Sequence, residues 1–387
     1  MSEENAASGA PVGIYVHIPF CQSKCPYCDF YSITDLDRIP DYLQALKAEM
    51  KLTADGGLRA DTLYIGGGTP SVLSPKQMGQ VVDWAAAYFN LTPTAEMTLE
   101  VNPATVTTRD LQDYAAFGFN RLNIGVQSFN DRHLAFLGRR HNAEQALAAV
   151  QAGIAAGFTN IGFDLMFGLP DQTPGAWKKD LLQAIRLAPK HLACYILSYE
   201  DRTRLHADLQ AGRFAPLSDL RTADLFRMTH DFLGAAGYEH YEVSNYSRGS
   251  RWRSKHNQKY WNGLPYIGLG PSAHSCQLPH RWWNHRALDH YLETIAQGEL
   301  PRADEEHLSE EQQMMEALFL GLRQSDGIDL ADFQGRFQID FTLYFHTALD
   351  RFSAEGWLDL DSRNCCLTVE GMLFLDRIVD ELVEMID

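Results

Sequence analysis

Short runs of apolar and β-branched residues alternate with longer stretches of helical periodicity between Val12 and about residue 200. This alternation is typical of an α/β fold in which strand–helix units surround a parallel sheet. The six predicted strands span residues 14–17, 62–65, 97–101, 121–126, 161–166 and 192–197. Six such units form either a three-quarter (β/α)6 barrel or an open sheet, and the strand count alone does not distinguish these folds. In both, functional sites lie at the carboxyl ends of the strands.

The chain beyond residue 200 loses this alternation. A helix is predicted over residues 218–236 and a short strand at 241–243, followed by a loop-like segment, rich in aromatic residues and histidines, to about residue 284. Such a segment is more typical of function than of scaffold. From residue 301 the pattern predicts a small, mainly helical, winged-helix-like domain. We therefore divide the chain into a disordered tail (1–11), the barrel (12–200), an extension (201–300) and this C-terminal domain (301–387).

The charge of the chain limits its partners. It has 50 acidic and 33 basic residues and a net charge of −17, so its field repels phosphate backbones and anionic lipids. We expect no binding of nucleic acid. We also expect no secretory leader and no membrane-spanning helix, which would need roughly 20 apolar residues in succession. Seven cysteines, most of them scattered, do not indicate a disulfide framework. These features predict a soluble, cytoplasmic protein.

Three cysteines follow the first predicted strand within eight residues. Cys21, Cys25 and Cys28 form the pattern CxxxCxxC in the segment CQSKCPYC. Thiolates suit iron–sulphur clusters, and three of them leave one iron of a [4Fe-4S] cluster with open positions. A molecule with an amino and a carboxylate group, such as S-adenosylmethionine, can chelate that iron and receive an electron. The alternatives are free thiols and a zinc site with a remote fourth ligand, although zinc sites more often show paired CxxC elements.

Polar residues follow at the ends of the later strands. The segment GGGTP at residues 66–70 follows the second strand, and its glycines let backbone groups approach a polar ligand closely. Glu100 ends the third strand, Gln127 ends the fourth, and Asp164 lies in the fifth. Arg139 follows in the segment LGRRHN. Two carboxylates, an amide and a guanidinium at one barrel mouth can hold the ribose hydroxyls, the amine and the carboxylate of S-adenosylmethionine.

The motifs of residues 13–285 resemble, in order, those of the radical S-adenosylmethionine family that includes oxygen-independent coproporphyrinogen III oxidases and HemW-type haem chaperones. The matching segments are YVHIPFCQSKCPYC, YIGGGTPS, LEVNP, NIGVQSF, LGRRHN and FDLMFGLPDQT. The resemblance implies the three-quarter barrel and a [4Fe-4S] cluster on the three cysteines. It also implies that S-adenosylmethionine contacts Tyr15, Gly67, Gly68, Thr69, Glu100, Gln127, Arg139 and Asp164.

Two positions distinguish the branches of this family. The oxidases carry a further cysteine two residues after the third, and Phe30 occupies that position here, which argues against oxidase activity. HNQKYW at residues 256–261 matches the HNxxYW motif that is associated with haem binding in the chaperones. The resemblance therefore implies that haem contacts His256, Asn257, Tyr260 and Trp261. Of these, His256 is the predicted iron ligand.

The residues of this motif also have a structural interpretation. An imidazole can bind iron and aromatic rings can cover a flat macrocycle. Without the resemblance, however, a histidine beside aromatic residues is more typical of a packed, hydrogen-bonded site. The nearby segment IGLGPSAHS, residues 267–275, contains His274, which we predict only to line the pocket.

Together these features predict a haem chaperone that carries a [4Fe-4S] cluster and S-adenosylmethionine and transfers haem to an acceptor. The alternatives are an oxygen-independent coproporphyrinogen III oxidase or another tetrapyrrole-modifying radical enzyme, and a radical enzyme with a different substrate, because fold and cluster do not select a substrate. The predicted partners are haem, a haem-accepting protein such as a membrane-associated respiratory protein, and an electron donor for the cluster. A homodimer and the consumption of S-adenosylmethionine are left open.

Overall fold

The computed structural model describes residues 10–54 and 56–386, so residues 1–9 of the predicted disordered tail lie outside the described residues. The strands are β1 (Val12–Ile18), β2 (Ala60–Gly67), β3 (Glu96–Val101), β4 (Arg121–Gln127), β5 (Asn160–Phe167), β6 (His191–Ile196), β7 (Glu239–Glu242), β8 (Asn245–Ser247), β9 (Tyr266–Leu269), β10 (His274–Gln277), β11 (His280–Asn284), β12 (Arg302–His307), β13 (Ile328–Asp329), β14 (Leu358–Leu360) and β15 (Asn364–Leu367).

The α-helices are α1 (Ile39–Thr53), α2 (Pro75–Phe89), α3 (Thr108–Ala116), α4 (Asp131–Phe136), α5 (Ala143–Ala155), α6 (Pro174–Arg186), α7 (Arg204–Gln210), α8 (Asp219–Ala235), α9 (Lys255–Trp261), α10 (Leu288–Ala296), α11 (Glu310–Leu322), α12 (Leu330–Phe337), α13 (Phe341–Tyr344), α14 (His346–Ala354), α15 (Val369–Met372) and α16 (Leu375–Val383). In this part of the chain, no helix has the length and apolar character that a bilayer crossing requires.

Strands β1 to β6 lie side by side in chain order and pair in parallel, which confirms the predicted partial barrel. Each of the six predicted strands begins and ends within two residues of the observed one. On its other side, β1 pairs with β9, and β6 pairs with β8. The parallel strands therefore form a curved sheet with both edges extended.

The prediction of a loop-like segment up to residue 284 is wrong. Strand β9 pairs in parallel with β1, β10 to β12 extend that edge in antiparallel order, and β8 and β7 extend the opposite edge. These strands have only three to six residues each. Because their hydrogen-bond partners are remote in sequence, the local pattern is too short to reveal them. Strand β12 lies beyond residue 300 and still pairs with β11; the domain boundaries stay predictions.

The barrel strands alternate apolar and polar side chains. In β1, Ile14, Val16 and Ile18 are fully buried in the core, whereas Tyr15 and His17 line the interior of the barrel. The period of two follows from the pleat of the strand. Three of the outer helices begin with capping boxes, at Ser74, Thr107 and Asn142. Each strand therefore packs apolar side chains against the outer helices and places polar side chains in the interior of the barrel.

The C-terminal region is mainly helical, as predicted. Helices α11 to α16 pack with a three-stranded antiparallel sheet in the order β13–β15–β14. The Arg323 guanidinium donates to Glu242 at 2.6 Å, and the Arg227 guanidinium donates to Glu370 at 2.6 Å. Because β7 carries Glu242 and α15 carries Glu370, these contacts join the region to the barrel side of the molecule.

Candidate functional site

The barrel encloses a cavity of about 810 Å³. Its lining takes alternate residues from the barrel strands: Tyr15, His17, Tyr64, Glu100, Asn123, Asp164, His191 and Tyr195. In packed α/β barrels the interior is filled mainly by branched apolar side chains. The polar, open interior of this barrel is instead typical of a binding site.

The cysteine loop lies against the glycine-rich turn that follows β2. Gly68 N–H donates to the Ile18 carbonyl at 2.8 Å. The Thr69 hydroxyl donates to the sulphur of Cys21 at 3.4 Å. A Cβ atom on Gly68 would lie 2.7 Å from the Phe20 carbonyl oxygen and 3.1 Å from the Cys21 sulphur, so glycine is required for this approach. The turn therefore positions the first cysteine.

The other two cysteines lie at the same end of the barrel. Arg139 Nη1 donates to the sulphur of Cys25 at 3.7 Å, and Cys28 lines the cavity. Burial, with a contribution from the nearby thiols of Cys25 and Cys21, raises the pKa of Cys28 to about 11. Such a thiol becomes a thiolate when a metal supplies positive charge, because coordination removes the proton. The loop therefore brings the three cysteines together at one end of the barrel, as the ligands of one cluster require.

The arrangement of the cysteines fits a cluster better than a single ion. In the described ranges, no three His, Cys, Asp or Glu side chains converge closely enough to hold one metal ion. A structural zinc ion needs four ligands around one atom. In a [4Fe-4S] cluster three thiolates each bind a different iron and leave the fourth iron open, which matches the number of cysteines in this loop.

Two carboxylates lie inside the cavity. Glu100 accepts hydrogen bonds from the Tyr64 hydroxyl at 2.7 Å and from Gly67 N–H at 3.3 Å. Asn123 Nδ2 donates to both oxygens of Asp164 at 2.9 Å. Burial raises the pKa of Glu100 to about 7, with a contribution from Asp164, and burial raises the pKa of Asp164 to about 6. A cationic ligand beside them would stabilise both as anions, and S-adenosylmethionine carries sulphonium and ammonium charges.

Two buried polar atoms nearby have no hydrogen-bond partner among the residues that the structure describes. They are Gln127 Oε1 and Arg139 Nε. Arg139 is held in place because its Nη2 donates to the Gly125 carbonyl at 2.8 Å. The amide oxygen can accept from an ammonium group and the guanidinium can donate to a carboxylate. The residues present therefore fit S-adenosylmethionine beside a [4Fe-4S] cluster. When both are bound, the cluster supplies an electron to S-adenosylmethionine.

All eight predicted contacts of S-adenosylmethionine line this one cavity. Three supporting residues were missed by the sequence interpretation: Tyr64 and Asn123, which hold the carboxylates, and Tyr27, whose hydroxyl lies 3.5 Å from Arg139 Nη1. A period of two along each strand is the signal for the first two, since both occupy inward-facing positions. The contacts with the ligand stay predictions.

The HNQKYW segment forms helix α9, which lies against the amino ends of β2 and β3. Glu96 accepts hydrogen bonds from the N–H groups of Lys255 at 3.2 Å and His256 at 3.1 Å. Its carboxylate also suits the positive end of the helix dipole. The Lys259 ammonium lies 2.8 Å from an oxygen of Asp61. We call α9 with these contacts the barrel floor, because it closes the end opposite the cysteine loop.

His256 is fully engaged within the barrel floor. It is 1 % exposed, its Nδ1 lies 2.7 Å from the Thr62 hydroxyl, and its Nε2 lies 2.8 Å from the Tyr260 hydroxyl. Burial, with contributions from Lys259 and Arg121, lowers the pKa of His256 to about 3. In this arrangement neither ring nitrogen has a free position for iron.

The other predicted haem contacts fall into two groups. Asn257 and Tyr260 line the cavity. Trp261 instead packs against Tyr241, with a distance of 5.8 Å between ring centroids. The structure therefore brings two of the four predicted residues to the cavity and leaves His256 and Trp261 in the barrel floor.

The opposite end of the cavity is open and partly apolar. Phe30 is 68 % exposed, Ile196 43 % and Tyr195 39 %, and all three line the cavity together with His274 and Arg286. We call these five residues the barrel mouth. Exposed apolar groups next to a cavity are typical of ligand sites. The position that holds a further cysteine in the oxidases therefore presents an aromatic ring here.

This fold and site define a radical S-adenosylmethionine protein, and the family model described as radical SAM superfamily matches residues 15–184. Heme chaperone HemW from Synechocystis sp. is 32 % identical over 96 % of both chains, and that from Mycobacterium tuberculosis is 33 % identical over 97 % of this chain and 95 % of that protein. The chain belongs to the heme chaperone HemW family.

Two further comparisons concern the fold. The family model described as HemN C-terminal domain matches residues 308–374. The solved structure of coproporphyrinogen III oxidase (HemN) from Escherichia coli has a TM-score of 0.83 at 24 % identity, over 97 % of this chain and 90 % of that one. At this identity the likeness shows a shared fold, and the activity of that enzyme does not follow for this chain.

Proposed function

We propose that this chain binds haem at the barrel mouth and transfers it to an acceptor protein. Beside the same cavity, Cys21, Cys25 and Cys28 hold a [4Fe-4S] cluster, and the neighbouring strand ends hold S-adenosylmethionine. Relatives that match nearly the whole chain are named heme chaperones. The observation that carries the proposal is the apolar mouth of an otherwise polar cavity, which a flat apolar macrocycle would cover.

The size and chemistry of the cavity support this proposal. Its volume of about 810 Å³ lies in the upper part of the range of roughly 300–1,000 Å³ that is common for small-molecule pockets. Phe30 and Tyr195 provide aromatic surface, and burial of such surface is strongly favourable. Arg286 lies at the same mouth, and a guanidinium is suited to the carboxylates of haem propionates.

Within the HNQKYW segment, Asn257 and Tyr260 line the cavity from the barrel floor, and they are the proposed contacts for the part of haem that extends inward from the mouth. His256 positions Tyr260 through the 2.8 Å hydrogen bond between Nε2 and the tyrosine hydroxyl. Trp261 anchors α9 in the barrel floor. Ligation of iron by His256 itself stays a prediction, and it would require one ring nitrogen to give up its present hydrogen bond.

The partners follow from charge and redox chemistry. A net charge of −17 suits a protein acceptor of haem, for example a membrane-associated respiratory protein, and disfavours nucleic acid. The cluster requires an external electron donor. Cytoplasmic conditions would keep the free cysteines reduced. A homodimer is compatible with this function.

A haem titration of the full chain, purified anaerobically with its cluster, tests the proposal. We expect saturable binding of one haem per chain, followed by transfer to a haem-free acceptor protein. Phe30→Ala should weaken haem binding about 10-fold, since it removes an aromatic contact of one to two kcal/mol. Leu343→Ala is the matched control, because Leu343 is similarly exposed but does not line the cavity. Equal affinity of both variants would contradict the placement of haem.

The same preparation separates the chaperone from the oxidase. With a reductant, S-adenosylmethionine and coproporphyrinogen III, we expect no protoporphyrinogen from the natural chain. The variant Phe30→Cys has the cysteine pattern of the oxidases, and it is assayed in the same reaction as the natural chain. Decarboxylated product from the natural chain would contradict a purely transporting role and favour the oxidase.

A further inference from the structure

We propose that His274 provides the imidazole that binds the iron of haem. The inference rests on the proposed haem-binding function and identifies the iron ligand within the barrel mouth. The other cavity histidines are committed to the protein, whereas the ring of His274 is held in place with free nitrogens, and its surroundings suit a macrocycle.

Among the described residues, His17, His191 and His274 are the histidines that line the cavity. His17 is buried, with Nε2 at 2.9 Å from the Tyr31 carbonyl and Nδ1 at 3.2 Å from the Tyr15 hydroxyl. Both of its ring nitrogens are therefore in use, and it has no position to offer to iron.

His191 is excluded by space. It is 1 % exposed and its Nε2 lies 2.7 Å from the Tyr241 hydroxyl. Its Nδ1 has no partner within the described chain, but it lies only 3.4 Å from the position that a Cβ atom would take on Gly162. A ring that is 1 % exposed and packed beside β5 offers no open side to a macrocycle.

His274 differs from both in exposure and in its hydrogen bonds. It is an exposed residue at the start of β10, and within residues 10–54 and 56–386 neither of its ring nitrogens has a hydrogen-bond partner. Its ring stacks on that of Trp283, its cross-strand neighbour, with centroids 5.8 Å apart and planes 26° apart. The stack holds the plane of the imidazole on two paired strands and leaves its nitrogens available.

The surroundings of His274 link it to the proposed haem contacts. Tyr266 on β9 pairs in register with Cys276, two residues beyond His274, so both side chains lie on the same face of the sheet. The ring of Tyr266 packs edge-on against Tyr260, with centroids 4.5 Å apart. The aromatic wall therefore continues from α9 to His274, and Arg286 lies on the same cavity for the propionates.

Spectroscopic titration with ferric haem tests the assignment on the cluster-loaded full chain. His274→Ala should weaken haem binding about 10-fold or more and change the absorption and electron paramagnetic resonance spectra of the iron. Added imidazole should restore the natural spectra. His280→Ala is the matched control, since His280 is also exposed but pairs with Gln277 and so lies on the opposite face. It should leave affinity and spectra unchanged.

His256→Gln provides the comparison with the barrel floor. We expect natural iron spectra from this variant, because the ligand is unchanged. Natural spectra from His274→Ala, or altered ligation in His256→Gln alone, would overturn the assignment while leaving haem binding intact. A natural chain that binds no haem would overturn the proposed function and the assignment with it. Unfolding midpoints of the three variants show whether each is folded.

Discussion

The two ends of the barrel differ in how their polar groups are used. In the barrel floor, His256 and Lys259 reach into the protein and both find partners, at 2.7 to 2.8 Å. At the cysteine end, Gln127 Oε1 and Arg139 Nε are buried without partners among the described residues, and Phe30 is 68 % exposed. Buried polar atoms without a partner in the described part of the chain occur towards the floor as well, at Nε and Nη1 of Arg121, so the exposed aromatic ring is what distinguishes the mouth as the ligand-binding end. In the floor, His256 and Lys259 mainly stabilise the fold, whereas the mouth offers exposed groups to a ligand.

The largest effect should come from the cysteine end. Cys21→Ala should abolish assembly of the [4Fe-4S] cluster, because two thiolates cannot hold it, while leaving the fold intact. Iron and sulphide analysis of the reconstituted protein measures the loss. Cys366→Ala, in the C-terminal sheet, is the control that should retain full iron content. Retained iron in Cys21→Ala would show that the cluster does not bind at this end of the barrel.

A substitution in the barrel floor should affect stability instead. His256→Ala leaves the hydroxyls of Thr62 and Tyr260 without their partner and creates a cavity, so the free energy of unfolding should fall by about 3 kcal/mol. Denaturant unfolding measures this change. His280→Ala, at an exposed position, should change stability by less than about 0.5 kcal/mol. An equally stable His256→Ala protein with lost haem binding would reverse the roles that we assign to the two ends.

Two glutamates on the same strand sharpen the comparison. Glu100→Gln removes a charge at the cysteine end, so the affinity for S-adenosylmethionine should fall about 10-fold. Glu96→Gln removes a charge from the barrel floor and should leave this affinity unchanged, while it lowers stability by about 1 kcal/mol through the weakened helix cap. Calorimetric titration of the cluster-loaded chain measures the first effect. Similar affinities of the two variants for S-adenosylmethionine would show that the two ends of the strand do not differ in ligand binding.

A further effect concerns pH and the buried imidazole. The pKa of His256 is about 3 in the folded chain against 6.5 when unfolded, so its contribution to stability is complete above pH 6.5 and is lost as the pH falls towards 3. The stability advantage of the natural chain over His256→Gln should therefore shrink by about 1 kcal/mol per pH unit below pH 6. Unfolding curves between pH 4 and 7 measure it. A constant difference over this range would mean that the pKa of His256 is the same in the folded and the unfolded chain.

Sequence patterns predicted the barrel well because its strands are long and repeat with a helix between them. The cysteine motif and the polar strand ends were predicted to form one site; Glu100, Gln127 and Asp164 line one cavity with Cys28, and Cys21 and Cys25 lie beside it. The extension was predicted poorly. Its strands β7 to β12 are short and pair with partners far along the chain, so no local periodicity marks them.

The positions of the side chains in the HNQKYW segment could not be predicted from the sequence. Its residue types suit haem, and two of them line the cavity, but the turn of helix α9 sends His256 towards Thr62 on a strand 194 residues away. In contrast, the sequence predicted only that His274 lines the pocket. Cross-strand pairing with Trp283, which no local pattern shows, gives it a held ring with free nitrogens.

The sequence by itself determined the class of the protein: the alternating strand and helix pattern, the three closely spaced cysteines and the polar strand ends depend on local order and spacing. The tertiary structure alone decided which histidines are committed and which are free. Hydrogen-bond satisfaction and exposure depend on neighbours that are remote in the chain, and they are set only when the strands pair and α9 packs against the barrel.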